Sequence, residues 1–215
     1  MRVVIAGGHG QIALLLEESL ARGGDEPVGI VRNPAHVPDL EAVGARAVVL
    51  DLEEATVDDV AATLAGADAV VFAAGGGPGS GAARKETVDR GAAILLADAA
   101  ERSGVRRYLM VSAMGTDQAD PTSDDVFQAY LRAKAAADAD LRSRDLDWTI
   151  VQPGGLTDEP GTGHVTLSPA AEPKRVPRAD VAAVLAAALR QPATIRQQFT
   201  LLAGPTPVED ALAGL

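Results

Sequence analysis

The sequence predicts an α/β fold in which a doubly wound parallel sheet carries helices on both faces. Short, almost continuously apolar runs alternate with alanine-rich amphipathic stretches along the whole chain. Such runs are typical of parallel strands covered on both faces, and strand–helix alternation favours a wound parallel sheet. No shift in composition marks an internal boundary, so we expect a single domain spanning residues 1–215.

The same patterns place the elements along the chain. Strands are predicted at residues 2–6, 27–32, 46–50, 68–73, 107–112 and 147–152. The first helix has apolar residues at helical spacing, and Gly23-Gly24 predicts its C-terminal cap. The segment from Thr56 to Asp59 resembles a capping box with Asp in place of Glu. Longer helices are predicted at residues 82–103, 124–144 and 178–190.

Two segments, residues 113–125 and 154–177, are rich in Gly, Pro, Asp, Ser and Thr. Each follows the carboxyl end of a predicted strand, which is where open α/β sheets bind ligands. We therefore expect both segments to be short substrate loops.

Composition excludes several classes of function. The formal charge of −11 opposes binding to nucleic acid and to anionic membranes. The chain has no cysteine, so thiolate nucleophiles and disulfides are excluded. Its three histidines (His9, His36 and His164) show no metal-ligand spacing, and no metal centre is expected. No apolar run approaches the ~20 residues of a membrane span. We expect a cytoplasmic monomer or homodimer with a small-molecule substrate.

A glycine-rich turn, GGHGQIA (7–13), follows the first strand and opens the first helix. Gly7 suits a tight turn, Gly10 lets the backbone approach a diphosphate, and Ala13 allows close packing of helix on strand. The helix N-terminus then presents free N–H groups to the phosphates. This context favours a Rossmann-type dinucleotide site over a glycine turn of purely structural use. The predicted contacts in the turn are Gly7, Gly8, His9, Gly10, Gln11 and Ile12.

The second strand indicates which dinucleotide is bound. An acidic residue at its end would hold the ribose 2′-hydroxyl of NAD, but Arg32 stands there instead. A guanidinium suits the 2′-phosphate of NADP, so NADP is favoured over NAD. The alternative is that Arg32 is a solvated turn residue before Pro34.

Two later strand ends complete the predicted cofactor site. Asp51 and Leu52 follow the third strand and are placed either to meet the adenine or to cap the next turn. After the fourth strand, Ala73, Ala74 and Gly75 have no bulk to keep a cofactor away. The five glycines of residues 75–81 predict a loop that closes over a ligand or an unconstrained linker.

Tyr130 and Lys134 lie four residues apart in a predicted helix, so both side chains share one face. A nearby cation lowers a phenol pKa from about 10 towards working pH. The pair is therefore a candidate acid/base site, and the alternative is a chance pair on the helix surface.

The order of these motifs resembles the short-chain dehydrogenase/reductase superfamily over essentially the whole chain. The greatest likeness is to its atypical NAD(P)-binding branch, whose members are often labelled epimerases or dehydratases, and to NmrA-like proteins. The segments that carry the resemblance are KETVDRGA (85–92), GVRRYLMVSAMG (104–115), YLRAKAAAD (130–138), DWTIVQPGGLTDEPGTG (147–163) and RADVA (178–182).

The resemblance implies a Ser-Tyr-Lys active site. Tyr130 would be the general acid/base, Lys134 would bind the nicotinamide ribose and favour the phenolate, and Ser112 would polarise a substrate carbonyl. Asp89 stands where the superfamily usually has an Asn as fourth catalytic member. The plainer alternatives are a strand-end turn for Ser112 and a solvated charge for Asp89.

The resemblance also implies that Pro153, after the sixth strand, contacts the cofactor together with Lys134. Gln152 stands where relatives mostly have arginine. The implied activity is hydride transfer between a nicotinamide and a small carbonyl or hydroxyl substrate, with epimerisation as a variant. The alternative is a dinucleotide-binding sensor without turnover. Direct hydride transfer to a flavin or quinone, which needs no tyrosine, lies between the enzyme and the sensor.

Overall fold

The computed structural model of the chain describes residues 1–77, 79–168 and 175–215. Its strands are β1 (Arg2–Ala6), β2 (Glu26–Val31), β3 (Arg46–Val49), β4 (Ala69–Phe72), β5 (Arg107–Val111), β6 (Asp147–Pro153), β7 (Gly155–Thr157), β8 (His164–Ser168), β9 (Arg175–Pro177), β10 (Gln197–Ala203) and β11 (Thr206–Pro207). Its helices are α1 (Gln11–Arg22), α2 (Val37–Ala42), α3 (Val57–Leu64), α4 (Ala82–Arg84), α5 (Ala93–Ser103), α6 (Val126–Ser143), α7 (Arg178–Ala188) and α8 (Val208–Ala213).

The predicted doubly wound parallel sheet is confirmed. Its strands run in the order β3-β2-β1-β4-β5-β6-β10, all parallel, followed by β8 and β11. Strand β8 is antiparallel to both β10 and β11. Because the order reverses at β1 and β4, the carboxyl ends of these two strands flank the crevice where such sheets bind ligands.

Helices cover both faces of the sheet, as predicted. On one face, α1, α7 and α8 pack over an apolar cluster that includes Leu16, Val184 and Leu212. On the other face, α3, α5 and α6 pack over a cluster that includes Leu64 and Leu96. No helix within the described residues is both long enough and apolar enough to cross a membrane.

The six predicted strands are present, with ends shifted by at most a residue. Strands β7 to β11 were not predicted. Strands β7, β8 and β9 lie within the predicted loop 154–177, so that segment is partly a strand-bearing extension. Residues 169–174 of the loop lie outside the described residues. The segment 113–125 contains one 3₁₀ turn, Thr116–Gln118, and is otherwise irregular, as predicted.

Both predicted caps are confirmed. Helix α1 ends at Arg22, and Gly24 takes a left-handed conformation with φ of 80° just beyond it. The Thr56 side chain accepts from the Asp59 N–H, and the Asp59 carboxylate accepts from the Thr56 N–H, which forms a complete capping box.

The predicted helix at 82–103 has an interruption that the sequence pattern does not show. Between α4 and α5, residues Lys85–Ala92 form a π-helical segment. Its wider turn buries Lys85 and Asp89. Since π-helical turns are frequent at functional sites, this segment helps to define the site.

Candidate active site

A cavity of about 440 Å³ opens at the carboxyl ends of β1, β2, β3 and β4. It is lined by Gly7, His9, Gly10, Ile30, Val31, Arg32, His36, Leu50, Asp51, Leu52, Glu53, Ala73, Ala74, Gly75, Gly76, Gly77, Arg84, Val88 and Ala92. Nine residues predicted to contact the cofactor are among them. Gly8, Gln11, Ile12, Lys134 and Pro153, which were also predicted to contact it, do not line the cavity.

The glycine turn has the geometry that a diphosphate requires. Gly7 has φ of 84°, and a Cβ there would lie 2.6 Å from the Ala74 Cα. Gly10 is the N-cap of α1 and provides no side-chain cap, so the helix terminus faces the cavity with free N–H groups. Ala13 is fully buried against the sheet. These features fit a bound dinucleotide.

Gly8 has a packing role beneath the turn. A Cβ at Gly8 would lie 2.7 Å from the Gly29 Cα and 2.9 Å from Glu17 Oε1. The Glu17 side chain is fully buried there, and neither carboxyl oxygen has a hydrogen-bond partner among the described residues. Burial raises the pKa of Glu17 to about 8, so this carboxyl is mostly protonated at neutral pH.

Arg32, Glu53 and Arg84, here called the arginine cluster, line the same part of the cavity. Arg32 Nη1 lies 3.3 Å and Arg84 Nη2 lies 2.8 Å from the same oxygen, Glu53 Oε2. Arg32 is therefore half-exposed and paired with Glu53. Sequence reasoning missed Glu53 and Arg84.

Asp51 caps the turn that follows β3, which is one of the two roles that the sequence left open. Its Oδ1 accepts from the Glu53 N–H at 3.0 Å, and its carbonyl begins the following turn. It also lines the cavity beside Leu52. His9 and His36 stack with their ring centres 3.6 Å apart near the cavity mouth.

The strand-end residues Ala73, Ala74 and Gly75 border the cavity as predicted. Asp89 Oδ2 accepts from the Gly76 N–H at 3.0 Å, and the Lys85 ammonium donates to the Gly77 carbonyl at 2.8 Å. The described part of segment 75–81 is thus tied to the π-helical segment at two points. Pro78 lies outside the described residues.

Five buried or partly buried side chains, Asp89, Ser112, Tyr130, Lys134 and Asp138, form what we call the α6 cluster. Lys134 Nζ lies 3.1 Å from the Val111 carbonyl, 3.3 Å from the Ala74 carbonyl and 3.4 Å from Asp89 Oδ1. Only 3% of Lys134 is exposed, which rules out a surface pair. Burial lowers the pKa of Lys134, and Asp89 and Asp138 oppose that shift. The contact with Ala74 joins the cluster to the cavity.

Asp89 is not a solvated charge, because its side chain is fully buried. Its two oxygens face the Lys134 ammonium and the Gly76 N–H. This arrangement positions Lys134 and the strand-end segment.

The expected lowering of the Tyr130 pKa is wrong. Burial raises this pKa, and the negative charges of Asp89 and Asp138 raise it further. In the described residues, no hydrogen bond joins Tyr130 to Lys134, whose ammonium is held by strand carbonyls and Asp89. The ammonium of Lys85 instead lies 5.3 Å from the centre of the Tyr130 ring. Tyr130 is therefore a protonated phenol at neutral pH.

Ser112 is held by a buried carboxyl that sequence reasoning missed. Its hydroxyl donates to Asp138 Oδ2 at 2.7 Å. Gln152 donates to the same oxygen at 3.3 Å and to the Thr116 hydroxyl at 2.7 Å. Burial raises the pKa of Asp138 to about 6, and Asp138 Oδ1 has no hydrogen-bond partner among the described residues.

Pro153 ends β6 next to this network, and its carbonyl accepts from the Met114 N–H at 3.0 Å. The sequence did contain one signal for Asp138. It follows Lys134 by four residues, as Lys134 follows Tyr130, so all three share one face of α6. No comparable signal links Arg84 to Glu53, which lie 31 residues apart.

Comparisons with known proteins identify the family of the chain. The profile of the NAD(P)H-binding family matches residues 7–192. A relative from Bacillus subtilis (strain 168), named uncharacterized sugar epimerase YhfK, is 35% identical over 216 residues, which cover 100% of both chains. A solved structure from Bacillus halodurans, provisionally named an NAD-dependent epimerase/dehydratase, is 39% identical with a TM-score of 0.91 and covers 100% of both chains.

A second solved structure, the oxidoreductase ylbE from Lactococcus lactis, is 27% identical with a TM-score of 0.88 and covers 100% of this chain and 96% of that chain. The family profile spans most of the chain and includes the glycine turn, the cavity and the α6 cluster. This chain therefore belongs to the NAD(P)H-binding family.

Proposed function

We propose that the chain is an NADP(H)-dependent oxidoreductase that acts on a small carbonyl or hydroxyl substrate. The observation that carries the proposal is the junction of the cavity with the α6 cluster. Ala74 lines the cavity, and its carbonyl accepts from the Lys134 ammonium one helical turn from Tyr130. A dinucleotide site and an acid/base candidate therefore adjoin.

The bound nicotinamide would supply or accept the hydride, and side chains of this chain would donate or accept the proton. The Tyr130 phenol is protonated at neutral pH and can donate a proton, although its raised pKa makes it a weaker acid than free tyrosine. The α6 cluster therefore supports carbonyl reduction, in which Tyr130 donates a proton to the developing alkoxide. Lys134 would help to place the ribose, and Asp89 would position Lys134.

The choice of NADP rests on charge at the cavity wall. Strand β2 ends at Val31, and the next residue is Arg32 rather than an acid. A guanidinium favours a phosphate over a hydroxyl because it can donate two hydrogen bonds to one phosphate group. This supports NADP over NAD.

The test is Tyr130→Phe, assayed by NADPH oxidation with a panel of aldehydes, ketones and quinones. We expect turnover to fall by about 100-fold or more, with NADPH affinity unchanged by calorimetry. Phe127→Leu is the matched control, because Phe127 lies one turn earlier on α6 with its ring centre 5.9 Å from that of Tyr130. Undiminished turnover in Tyr130→Phe would point to direct hydride transfer to a flavin or quinone.

Epimerisation is a variant of the same chemistry, consistent with the name of the Bacillus subtilis relative. In that case a hydride would pass from the substrate carbon to the nicotinamide and return to the other face of the transient ketone, with no net consumption of the dinucleotide. Tyr130, which is protonated in this structure, would first have to lose its proton to act as the base. Product analysis with a stereochemically pure sugar substrate distinguishes epimerisation from reduction.

A sensor without turnover is the second candidate. It is favoured by the Ser112 hydroxyl, which donates to Asp138 and is not free to polarise a substrate while Asp138 is ionised. Tight binding that distinguishes NADP from NADPH, with no oxidation of NADPH by any member of the panel, would support this alternative.

A further inference from the structure

The arginine cluster contains more than the one cation that the sequence points to. Arg84 and Arg32 approach one carboxylate oxygen, Glu53 Oε2, from different segments of the chain. The other carboxylate oxygen accepts from the Thr87 hydroxyl at 2.6 Å. Glu53 is thus held at three points on the cavity wall.

Arg84 is the less exposed of the two cations. Its side chain is 33% exposed, whereas that of Arg32 is 51% exposed. Its Nε is buried without a hydrogen-bond partner among the described residues. The two Nη groups, one of which donates to Glu53, are therefore the part of the guanidinium that a phosphate in the cavity can reach.

The charges of the cluster sum to one positive unit, from two guanidiniums and one carboxylate. Asp51 also lines the cavity and offsets this unit, so the pair of guanidiniums, rather than a net positive charge, distinguishes this wall in a chain whose formal charge is −11. A dianionic phosphate that engages both guanidiniums competes for them with Glu53 Oε2, which both contact. A ribose hydroxyl does not compete in this way, because it can donate to the Glu53 carboxylate where it stands.

We propose that Arg84 is a second ligand for the 2′-phosphate of the dinucleotide and that Glu53 is the internal anion that this phosphate displaces. The inference rests on the proposed use of NADP. Arg84 and Glu53 are then specificity-determining residues with opposite effects: Arg84 favours NADP, and Glu53 reduces the preference by competing for the same cations.

The experiment is calorimetry of NADP and NAD with four variants of the full chain. Arg84→Ala should weaken NADP by about tenfold or more and NAD by less than about threefold. Arg84→Lys keeps the charge but loses the fork of donors, so its NADP affinity should lie between those of the parent and Arg84→Ala. Glu53→Gln should strengthen NADP and weaken NAD, which reverses the pattern of Arg84→Ala.

The matched control is Arg90→Ala. Arg90 lies on the adjoining π-helical segment, pairs with Glu86 at 2.5 Å and does not line the cavity. Its removal changes the net charge by the same amount as Arg84→Ala, so NADP affinity should remain within about twofold of the parent. Adenosine 2′,5′-bisphosphate and AMP serve as fragments that test the adenosine end without the nicotinamide.

Two outcomes would overturn the inference while leaving the proposed function intact. One is equal weakening of NADP by Arg84→Ala and Arg90→Ala. The other is equal weakening of NADP binding and NAD binding by Arg84→Ala, in a variant whose melting temperature equals that of the parent. Failure of the parent to bind either nucleotide would overturn the proposed function and the inference together. If Arg84→Ala were to unfold, the result from Glu53→Gln would decide.

Discussion

The arginine cluster and the α6 cluster adjoin the same cavity but hold their charges in different surroundings. Side chains of the arginine cluster are 23% to 51% exposed, whereas Asp89, Lys134 and Asp138 are each at most 3% exposed. Water and salt screen the first set of charges, and low dielectric magnifies the second. The comparison teaches that one cavity adjoins both a set of screened charges and a set of unscreened ones.

The largest expected effect comes from breaking the glycine turn between the two clusters. In Gly7→Ala, the left-handed backbone and the 2.6 Å approach to the Ala74 Cα are both incompatible with a side chain. We expect nucleotide binding to be lost and the free energy of unfolding to fall by up to about 5 kcal/mol. Calorimetry and chemical denaturation measure the two quantities.

Gly24→Ala is the control for backbone strain alone. Gly24 has φ of 80°, and a Cβ there would have no neighbour within 4 Å. This variant should lose only about 1 kcal/mol and bind nucleotide normally. If both variants behaved alike, close approach to Ala74 would not be what makes Gly7 necessary.

The next largest effect should come from Lys134→Met in the α6 cluster. This change leaves the carboxylate of Asp89 buried without its cation, which costs about 4 kcal/mol of stability. Adding Asp89→Leu should recover much of the loss, because the carboxylate that pairs with Lys134 is then absent as well. The paired denaturation measurements would contradict the comparison if removal of Asp89 gave no recovery.

A smaller effect, visible as pH dependence, is expected from Asp138. Its pKa is raised from 3.8 to about 6 in the folded chain. The folded state therefore binds more protons than the unfolded state, and stability falls as pH rises through this window. The shift corresponds to about 3 kcal/mol.

Asp138→Asn removes this titration. Between pH 4 and pH 7, we expect its free energy of unfolding to gain about 2 kcal/mol relative to the parent. Parallel pH curves for the two proteins would show that Asp138 titrates normally. The same variant should change the pH profile of turnover, because the Ser112 hydroxyl donates to Asp138.

Much of the fold could be predicted because its signals are local. The continuous apolar runs located six parallel strands, and the Thr56 capping box and the Gly24 cap follow from short-range chemistry. Strands β7, β9 and β11 have only two or three residues, which is too short to show a periodicity. Their partner strands lie many residues away in the sequence. Strand β10 is longer, but it follows the last predicted helix and was not predicted.

The candidate site divides in the same way. Gly7, Gly10 and Arg32 follow from motif spacing and line the cavity. The direction of the Tyr130 pKa shift could not be predicted, because it depends on burial and on two carboxylates brought close by folding. The π-helical segment that places Lys85 and Asp89 also has no pattern in the sequence.

Folding around the glycine turn is coupled to protonation of Glu17. The carboxyl has no partner beneath Gly8 and Gly29, and its pKa moves from 4.5 to about 8 on folding. At pH 7, each chain therefore takes up about one proton as it folds, and this site's contribution to stability declines as pH rises from 4.5 to 8. Mild alkali therefore acts on the glycine turn through a carboxyl buried beneath it.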